Sequence, residues 1–478
     1  MLFNSIEFTI FLPIIFLLYW YVAKNNLKLQ NIVLLFASCF FYACWDYRFL
    51  FLLLFSILLD YYTGIQIHQA KKIWIKKIWF WFSVAVNVGF LGLFKYYNFF
   101  IDTFSTALSA LGVNANELSL KVILPVGISF YTFHGLSYLI DIYKDRIKPE
   151  RDFINYALFV SFFPLLVAGP IERATHLLPQ IDKKRKFSYT SAVDGMRQIL
   201  WGLFKKIVVA DNCAVVVNQI FDHYQDQNGA KLLIGAIFFA FQIYGDFSGY
   251  SDIAIGTAKL FGISLLRNFS YPYFSRDIAE FWRKWHISLT TWFRDYIYIP
   301  LGGSRGSKWM VIRNTFIIFL VSGFWHGANW TFVVWGAIHA LLFLPLILLG
   351  KNRKNTDVIA PNKLLPSWKE LGQMLGTFYI VVFAWIFFRA PSIYVALEYI
   401  KGMFHIVTFE AFTRIFNYRE FGYIIVLLIV EWLQRTKQHG LELDSIKQAW
   451  IRRLIYLGLI YMIIWYTGKN ETFIYFQF

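Results

Sequence analysis

The chain has 478 residues, of which 58% are hydrophobic, 21% aromatic and only 16% charged. Soluble globular proteins carry about 25% charged residues, so this composition, together with a positive mean hydropathy, excludes a soluble enzyme, a disordered chain and a nucleic-acid-binding domain. The net charge of +17 is typical of basic cytoplasmic loops between membrane spans. We therefore attribute this charge to the loops that orient a membrane protein in the bilayer.

Apolar runs suited to spanning or entering a bilayer follow one another along the chain. They begin near Phe8, Asn31, Phe49, Ile78, Val122, Ile154, Gly195, Leu232, Asn314, Trp330, Leu371, Phe421 and Arg453. No internal repeat or long linker divides them. We therefore predict an all-α polytopic membrane protein with a single domain over residues 1–478 and about 11–13 membrane segments, some of them re-entrant.

The positions of the basic residues predict the orientation, because Lys and Arg collect on the cytoplasmic side. The N-terminal tip has none, whereas Lys24 and Lys28 follow the first run. Basic segments also occupy residues 351–369 and 435–453, on one side of the last spans. Both termini are therefore predicted to lie outside.

The alternation fails in the middle of the chain. A single apolar run, residues 154–171, separates two basic segments that both count as cytoplasmic, residues 144–151 and 183–186. A re-entrant segment through the prolines and glycine of residues 164–170 resolves this, because broken backbone is tolerated at membrane depth beside protein or water. We expect this break, and a second one at residues 125–130, to line a cavity.

A histidine lies deep inside one of the later runs. His326 follows Arg313 by 13 residues, which is about 20 Å of helix against a hydrocarbon core of about 30 Å. Gly323 and Gly327 permit close helix approach, and Trp325 is a candidate pocket wall. An imidazole can take a proton from a hydroxyl and return it to a leaving thiolate. A histidine that only hydrogen-bonds a neighbouring helix is the alternative.

A second candidate segment, residues 281–296, interleaves aromatic and basic side chains at helical spacing. This pattern is typical of a helix at the membrane interface, and for Arg283 and Lys284 an interfacial anchor is the preferred interpretation. His286 adds a second titratable group. Two histidines brought together can divide the base and polarising roles.

Two carboxylates interrupt the run that begins near Leu232. Asp246 and Asp252 enclose hydroxyls and glycines, which is a costly set at membrane depth and usually marks a site. Helix packing with one structural Asp is the alternative.

The three cysteines lack metal-ligand spacing and are interpreted as small buried hydrophobes. No metal is expected.

Several segments together resemble a known family. They are residues 1–5 (Met-Leu-Phe-Asn-Ser), residues 246–252, residues 281–286, residues 294–303 with Arg-Asp-Tyr before Pro-Leu-Gly-Gly, and residues 325–329 with Trp-His-Gly-Ala-Asn. The chain resembles bacterial membrane-bound O-acyltransferases (MBOATs), in particular the alginate O-acetyltransferase branch. The similarity covers nearly the whole chain.

The resemblance implies a ring of transmembrane and re-entrant helices around a central cavity. It also implies that His326 is the catalytic general base and His286 a second polar residue of the site. We expect support of the pocket from Asp246, Asp252, Trp325, Asn329, Arg294 and Asp295.

The function implied by the resemblance is acyl transfer across the bacterial inner membrane. In this branch an acetyl group comes from cytoplasmic acetyl-CoA, which is the acyl donor and not a bound cofactor. It passes outward to a cell-surface polysaccharide, either an alginate-like exopolysaccharide or peptidoglycan. The implied partner is an extracytoplasmic acetyltransferase or acceptor protein.

The last six residues, 473–478, carry a separate hypothesis. They resemble the C-terminal motif of the small membrane partner in the D-alanyl teichoic acid system, whose tyrosine is proposed to carry the acyl group. Tyr475 is therefore a candidate acyl carrier. An aromatic tail that packs at the outer interface is the alternative.

The competing function class is a non-catalytic transporter or export scaffold for an acyl donor or glycan precursor. Its expected signature is a pair of corresponding broken helices in two repeats, which the sequence lacks. The sequence therefore favours the enzyme.

Overall fold

The computed structural model describes residues 1–112, 123–405, 418–467, 471 and 473–474. Throughout these residues the regular structure is helical, and no strand occurs in them. Contacts between residues divide the chain into two compact units, and a single membrane-embedded domain over residues 1–478 stays a prediction. The N-terminal unit comprises residues 1–188 and 260–265, and the C-terminal unit comprises residues 189–259 and 266–478.

Two segments of the N-terminal unit, Leu27–Gln69 and Ile73–Ala110, are long and apolar. Its helices are α1 (Ile6–Leu17), α2 (Leu27–Gln69), α3 (Ile73–Leu91), α4 (Tyr97–Ala110), α5 (Ile128–Tyr143), α6 (Phe153–Ser161), α7 (Phe163–Leu166) and α8 (Ala174–Ile181). Short π-helical turns extend α1 and join α3 to α4. The backbone of α2 leaves the helical conformation at Asp46, which explains why the sequence shows two apolar runs in this stretch.

Polar side chains hold the interior of the N-terminal unit together. The buried carboxylate of Asp60 in α2 accepts hydrogen bonds from Ser83 at 2.8 Å and Asn87 at 2.7 Å, both in α3. A Cβ atom at Gly135 in α5 would lie 1.9 Å from Oδ2 of Asp60. Small and polar residues of this kind allow apolar helices to pack closely.

Non-helical backbone occurs at or next to both predicted breaks of the N-terminal unit. Gly127 has φ +77° and is the residue before α5, and a Cβ atom at this position would lie 2.1 Å from the carbonyl oxygen of Leu166. The chain also breaks between α6 and α7. The side chains of residues 161–172 are all buried, so these residues pack into the interior of the unit, and their predicted place beside a cavity is not evident.

The C-terminal unit contains the segments with candidate chemistry. Its helices are α9 (Tyr189–Leu203), α10 (Asp211–Asp222), α11 (Gly229–Leu260), α12 (Ile278–Lys284), α13 (Ile287–Phe293), α14 (Lys308–His326), α15 (Trp330–Leu348), α16 (Trp368–Arg389), α17 (Ile393–Met403), α18 (Glu420–Leu433) and α19 (Ala449–Tyr466). π-helical turns follow α9 at Phe204–Ala210 and α13 at Arg294–Tyr298.

Among the six described segments that are long and apolar enough to cross a membrane, α11 is the most buried, with 89% of its most apolar window inside the protein. Glycines on α9 and α11 face each other. A Cβ atom at Gly195 would lie 2.6 Å from the carbonyl oxygen of Gly256, and one at Gly202 would lie 2.6 Å from that of Gly249. The two backbones therefore touch, which brings the polar groups of both helices together.

Helices α14 and α15 form an equally close hairpin. A Cβ atom at Gly323 would lie 2.2 Å from the carbonyl oxygen of Phe332, and one at Gly336 would lie 2.3 Å from that of Phe319. The turn between them ends at Asn329, whose Oδ1 accepts a hydrogen bond from the backbone N–H of Thr331 at 3.0 Å and caps α15. The hairpin fixes the residues at its turn.

Six helical segments of the described chain are long and apolar enough to cross a membrane. They are Leu27–Gln69, Ile73–Ala110, Gly229–Leu260, Trp330–Leu348, Trp368–Arg389 and Ala449–Tyr466. Every apolar run identified in the sequence overlaps a helix, and the predicted all-α polytopic class is confirmed. The total of about 11–13 membrane segments stays a prediction.

Candidate active site

His326 is the last residue of α14, at the turn of the hairpin. Its side chain is buried, and Nδ1 lies 2.6 Å from the carbonyl oxygen of Ser322 one helical turn earlier. A carbonyl oxygen only accepts hydrogen bonds, so Nδ1 carries the proton of the neutral ring and Nε2 keeps its lone pair. The rings of Trp325, Trp335 and Phe388 surround the imidazole at centroid distances of 4.9, 5.0 and 5.5 Å.

His286 lies between α12 and α13, in the left-handed conformation with φ +43° and ψ +54°. A residue with a side chain adopts this conformation at a cost, and such strain is concentrated at functional sites. Its Nδ1 lies 3.0 Å from Oδ1 of Asn268, and no described residue hydrogen-bonds to its Nε2. Burial, with a smaller effect of nearby His326, lowers the pKa of His286 well below its ordinary value. The ring is therefore neutral.

Asn268 fixes the tautomer of His286 and was not among the residues predicted from the sequence. Its Oδ1 accepts from the backbone N–H of Ser288 at 3.3 Å and from the Ser288 hydroxyl at 2.8 Å. A backbone N–H can only donate, so this atom is the oxygen and His286 Nδ1 must donate to it. The amide nitrogen donates to Oγ of Ser251 in α11 at 3.0 Å. Asn268 lies in a loop, where no sequence pattern distinguishes it.

The structure brings the two predicted histidines into one aromatic cluster. The ring of Trp325 lies 6.2 Å from that of His286 and 4.9 Å from that of His326. All three side chains are at most 6% exposed. Both imidazoles therefore belong to one buried site, with Trp325 between them as its predicted wall.

The other residues of the predicted pocket have different places. Asn329 caps α15 and donates from Nδ2 to the carbonyl oxygen of Pro391 at 2.9 Å, which fixes the turn after His326. Arg294 pairs with the adjacent Asp295 at 2.7 Å, but its side chain is 57% exposed. The Arg294 guanidinium therefore lies outside the buried ring cluster, and the predicted support of the pocket by this pair is not visible in these contacts.

The two carboxylates of α11 form buried ion pairs with adjacent lysines. Lys205 Nζ lies 2.6 Å from Oδ2 of Asp252, and Lys206 Nζ lies 2.6 Å from Oδ1 of Asp246 and 2.8 Å from Oδ1 of Asp211. The lysines occupy the π-helical turn Phe204–Ala210. Two consecutive lysines inside an apolar run indicate an intramembrane site. These lysines were not among the residues predicted from the sequence.

A small, partly open cavity lies beside Asn268. Polar groups of α11 line it, among them Ser248, Ser251 and Asp252. The hydroxyl groups of Ser248 and Tyr271 are buried in its wall and have no described hydrogen-bond partner. The cavity therefore adjoins the residue that holds His286.

The C-terminal tail is fixed at Asp246. The backbone N–H of Ile474 donates to Oδ2 of Asp246 at 2.7 Å, and the ring of Phe473 lies 4.8 Å from that of Tyr250. Phe473 and Ile474 are both 1% exposed. Tyr475, the predicted acyl carrier, lies outside the described residues.

A third buried histidine was also missed. His339 in α15 is fully buried and lies 4.9 Å from Trp335, ring to ring. A lone histidine inside the run from Trp330 to Leu348 was a visible signal of an intramembrane polar group. In the described part of the chain, no group of three or more His, Cys, Asp or Glu side chains is arranged to hold a metal ion.

Comparison with known proteins decides the family. A family model described as MBOAT, membrane-bound O-acyltransferase family, matches residues 144–356. The peptidoglycan O-acetyltransferase of Helicobacter pylori is 33% identical over 531 aligned positions, which cover 100% of this chain and 98% of that relative. The chain belongs to the membrane-bound O-acyltransferase family.

Two other groups of MBOAT relatives differ in acceptor. The probable alginate O-acetylase AlgI of Pseudomonas aeruginosa is 37% identical over 413 positions, 86% of this chain and 76% of the relative. The teichoic acid D-alanyltransferase of Bacillus subtilis is 26% identical over 277 positions, 55% of this chain and 68% of the relative. This chain is therefore a multi-pass bacterial membrane acyltransferase, and the transporter alternative has no observation in its favour.

Proposed function

We propose that this MBOAT transfers an acetyl group from cytoplasmic acetyl-CoA toward the hydroxyl groups of a cell-surface polysaccharide, with His326 as general base. The observation that carries the proposal is the hydrogen bond of His326 Nδ1 to the carbonyl oxygen of Ser322. It leaves the lone pair of the neutral ring on Nε2. Two relatives are named for O-acetylation of peptidoglycan and alginate, which supports an acceptor of this class.

In the proposed reaction one nitrogen atom, Nε2 of His326, both takes up and returns the proton. Nε2 of His326 takes the proton of the acceptor hydroxyl as its oxygen attacks the thioester carbonyl carbon. The C–S bond of the tetrahedral intermediate then breaks, and the leaving thiolate takes the proton back from Nε2. A buried, neutral imidazole suits both steps, because it needs no charged partner.

His286 has a narrower role in this proposal than polarising the donor. Its proton is held on Nδ1 by Asn268, so in the neutral ring Nε2 accepts a hydrogen bond and cannot donate one. The attacking hydroxyl has a single proton, which His326 takes, so Nε2 of His286 accepts a hydrogen bond from a different donor group of the bound substrate and positions that substrate beside His326. Asp252 supports this arrangement indirectly, because it pairs with Lys205 in the wall of the cavity beside Asn268.

The anchored tail supports a two-step version in which Tyr475 is the first acceptor. Its phenol would take the acetyl group as an ester, and an extracytoplasmic acetyltransferase or acceptor protein would then pass it to the polysaccharide. Asp246 and Tyr250 hold the two buried residues that precede Tyr475. The proposal places the protein in the bacterial inner membrane with both termini outside.

Mass spectrometry of surface polysaccharide tests the role of His326. Cells would express wild type, His326→Ala or the exposed control His223→Ala at matched membrane levels, and O-acetyl groups would be scored on each glycan class. We expect acetyl groups to disappear from one class with His326→Ala only, which also identifies the acceptor. Unchanged acetylation in His326→Ala would reject this residue as the base.

Two further measurements test acetyl-CoA as the donor and Tyr475 as the carrier. Purified protein should release free thiol from acetyl-CoA with wild type and not with His326→Ala; an inert wild type would reject acetyl-CoA as donor. Tyr475→Phe should abolish acetyl export in cells at normal membrane levels. Export equal to wild type would reject the carrier and leave the tail as a packing element.

A further inference from the structure

Two buried N–H groups of α15 lie on the face of the helix that borders His326. Trp335 and His339 are four residues apart, which places them on one face, and both are 0% exposed. Their rings lie 4.9 Å apart, and the ring of Trp335 lies 5.0 Å from that of His326. Trp335 therefore borders the base, and His339 lies next to Trp335 on the same helix face.

The tautomer of His339 follows from its neighbour in α12. The indole Nε1–H of Trp282 donates to Nδ1 of His339 at 3.3 Å. An indole nitrogen has no acceptor lone pair, so Nδ1 is unprotonated and the neutral ring carries its proton on Nε2. No acidic side chain forms an ion pair with His339 among the described residues. Nε2 is therefore a neutral N–H donor.

Neither donor has an acceptor among the residues that the structure describes. Nε2 of His339 and Nε1 of Trp335 are buried and have no hydrogen-bond partner within the described chain. A buried donor without an acceptor costs about 1–3 kcal/mol, and native proteins contain few of them. Two such donors on one helix face, next to a proposed base, are arranged as a binding site for an oxygen atom.

We propose that Trp335 Nε1–H and His339 Nε2–H bind the carbonyl oxygen of the acyl group and stabilise the oxyanion that forms on it. This proposal rests on the proposed function, in which His326 is the base. When the hydroxyl oxygen attacks, the carbonyl π electrons move to the oxygen, which takes up negative charge between the two donors. The charge returns to the carbonyl bond as the C–S bond breaks, so the donors lose no proton.

The two donors can be tested separately by conservative substitutions. Trp335→Phe removes one N–H and keeps an aromatic ring. His339→Gln places an amide N–H near the position of Nε2. His339→Asn places an amide oxygen near Nδ1, which preserves the hydrogen bond from Trp282 but removes the N–H that would donate to the carbonyl oxygen. Trp385→Phe is the matched control, because Trp385 stacks on Trp335 at 5.6 Å and is equally buried.

The assay measures kcat and KM for acetyl-CoA with purified protein, with melting temperature as the folding control. Removal of one oxyanion donor typically lowers kcat by about 10²–10³-fold. We expect this loss in Trp335→Phe and in His339→Asn, with KM within about twofold because the charge develops only in the transition state. We expect His339→Gln to keep more than about a tenth of wild-type kcat, and Trp385→Phe to keep all of it.

The outcomes separate this proposal from the proposed function. Activity in His326→Ala would reject His326 as the base. Wild-type protein that is inert toward acetyl-CoA would reject acetyl-CoA as the donor. In that case the surface O-acetyl content of cells expressing the same variants compares the activities of the variants, whatever the donor is. With His326→Ala inactive, wild-type rates in Trp335→Phe and His339→Asn overturn the donor pair. Equal losses in His339→Gln and His339→Asn overturn the role of Nε2–H.

Discussion

Replacement of Asn268 by leucine is the sharpest test of how the site is held. The side chain keeps its approximate volume, but it loses four hydrogen bonds: those from His286, from the backbone N–H and the hydroxyl of Ser288, and to Ser251. His286 then keeps its place in the chain but not a defined tautomer. Stability and turnover should therefore both fall.

The size of each effect follows from the contacts. At about 1 kcal/mol per hydrogen bond, four bonds amount to about 4 kcal/mol of unfolding free energy. For turnover, loss of the fixed orientation of His286 should lower kcat by about 10²-fold, the usual cost of displacing a reacting or orienting group by about 1 Å. Asn268→Asp keeps the acceptor oxygen for His286 and should retain more activity than Asn268→Leu.

Asn314 provides the matched control, because it is also a fully buried asparagine with four hydrogen bonds. Its Oδ1 accepts two from Arg313, and its Nδ2 donates to the carbonyl oxygens of Leu301 and Gly303. Asn314→Leu should lower the melting temperature to a similar extent, with kcat per folded molecule unchanged. Equal kcat in Asn268→Leu and wild type would refute the role of Asn268 in orienting His286.

Three further predictions concern packing and charge. Gly336→Ala forces α14 and α15 apart and should lower the free energy of unfolding by about 1–3 kcal/mol, which a lower melting temperature would show. Gly372 has open space around its Cα. Gly372→Ala should therefore leave the free energy of unfolding unchanged or raise it by about 1 kcal/mol. Lys206→Met leaves two buried carboxylates unpaired and should cost about 3–5 kcal/mol in chemical unfolding; wild-type stability would contradict the pairing. The hydrogen bond that Nδ1 of His176 donates to the carboxylate of Glu172 raises the pKa of His176. The stabilisation from this pair is therefore present below about pH 6.5 and is lost as pH rises through the folded pKa. His176→Gln should therefore lower the melting temperature at about pH 5.5 and have little effect at about pH 8.5; the reverse order would contradict the assignment.

The sequence was sufficient to predict the helices and the principal histidine. Apolar length alone located every long helix, because a bilayer requires long apolar segments. His326 was identifiable because a polar residue deep in an apolar run is costly. Its neighbour His286 required the resemblance to the family as well, since its own segment is typical of an interfacial helix.

The parts of the site that depend on tertiary contacts were not predictable. Asn268 acts only because a loop brings it against His286 and Ser251. Asp246 and Asp252 were recognised, but their lysine partners come from a different helix, across glycine contacts that a sequence does not show. Arg294 belongs to the specific family motif and yet is largely exposed, because a motif identifies a family without giving the place of each of its residues.

The glycine contacts of the hairpin also indicate where the enzyme can be redesigned. Gly323 and Gly336 leave no space between α14 and α15, so the proposed base and both proposed donors belong to one rigid element whose spacing tolerates no added volume. Phe388 in α16 borders His326 at 5.5 Å from outside that element. Engineering of acyl-chain length is therefore best directed at α16, where side-chain volume can change while the reacting groups keep their positions.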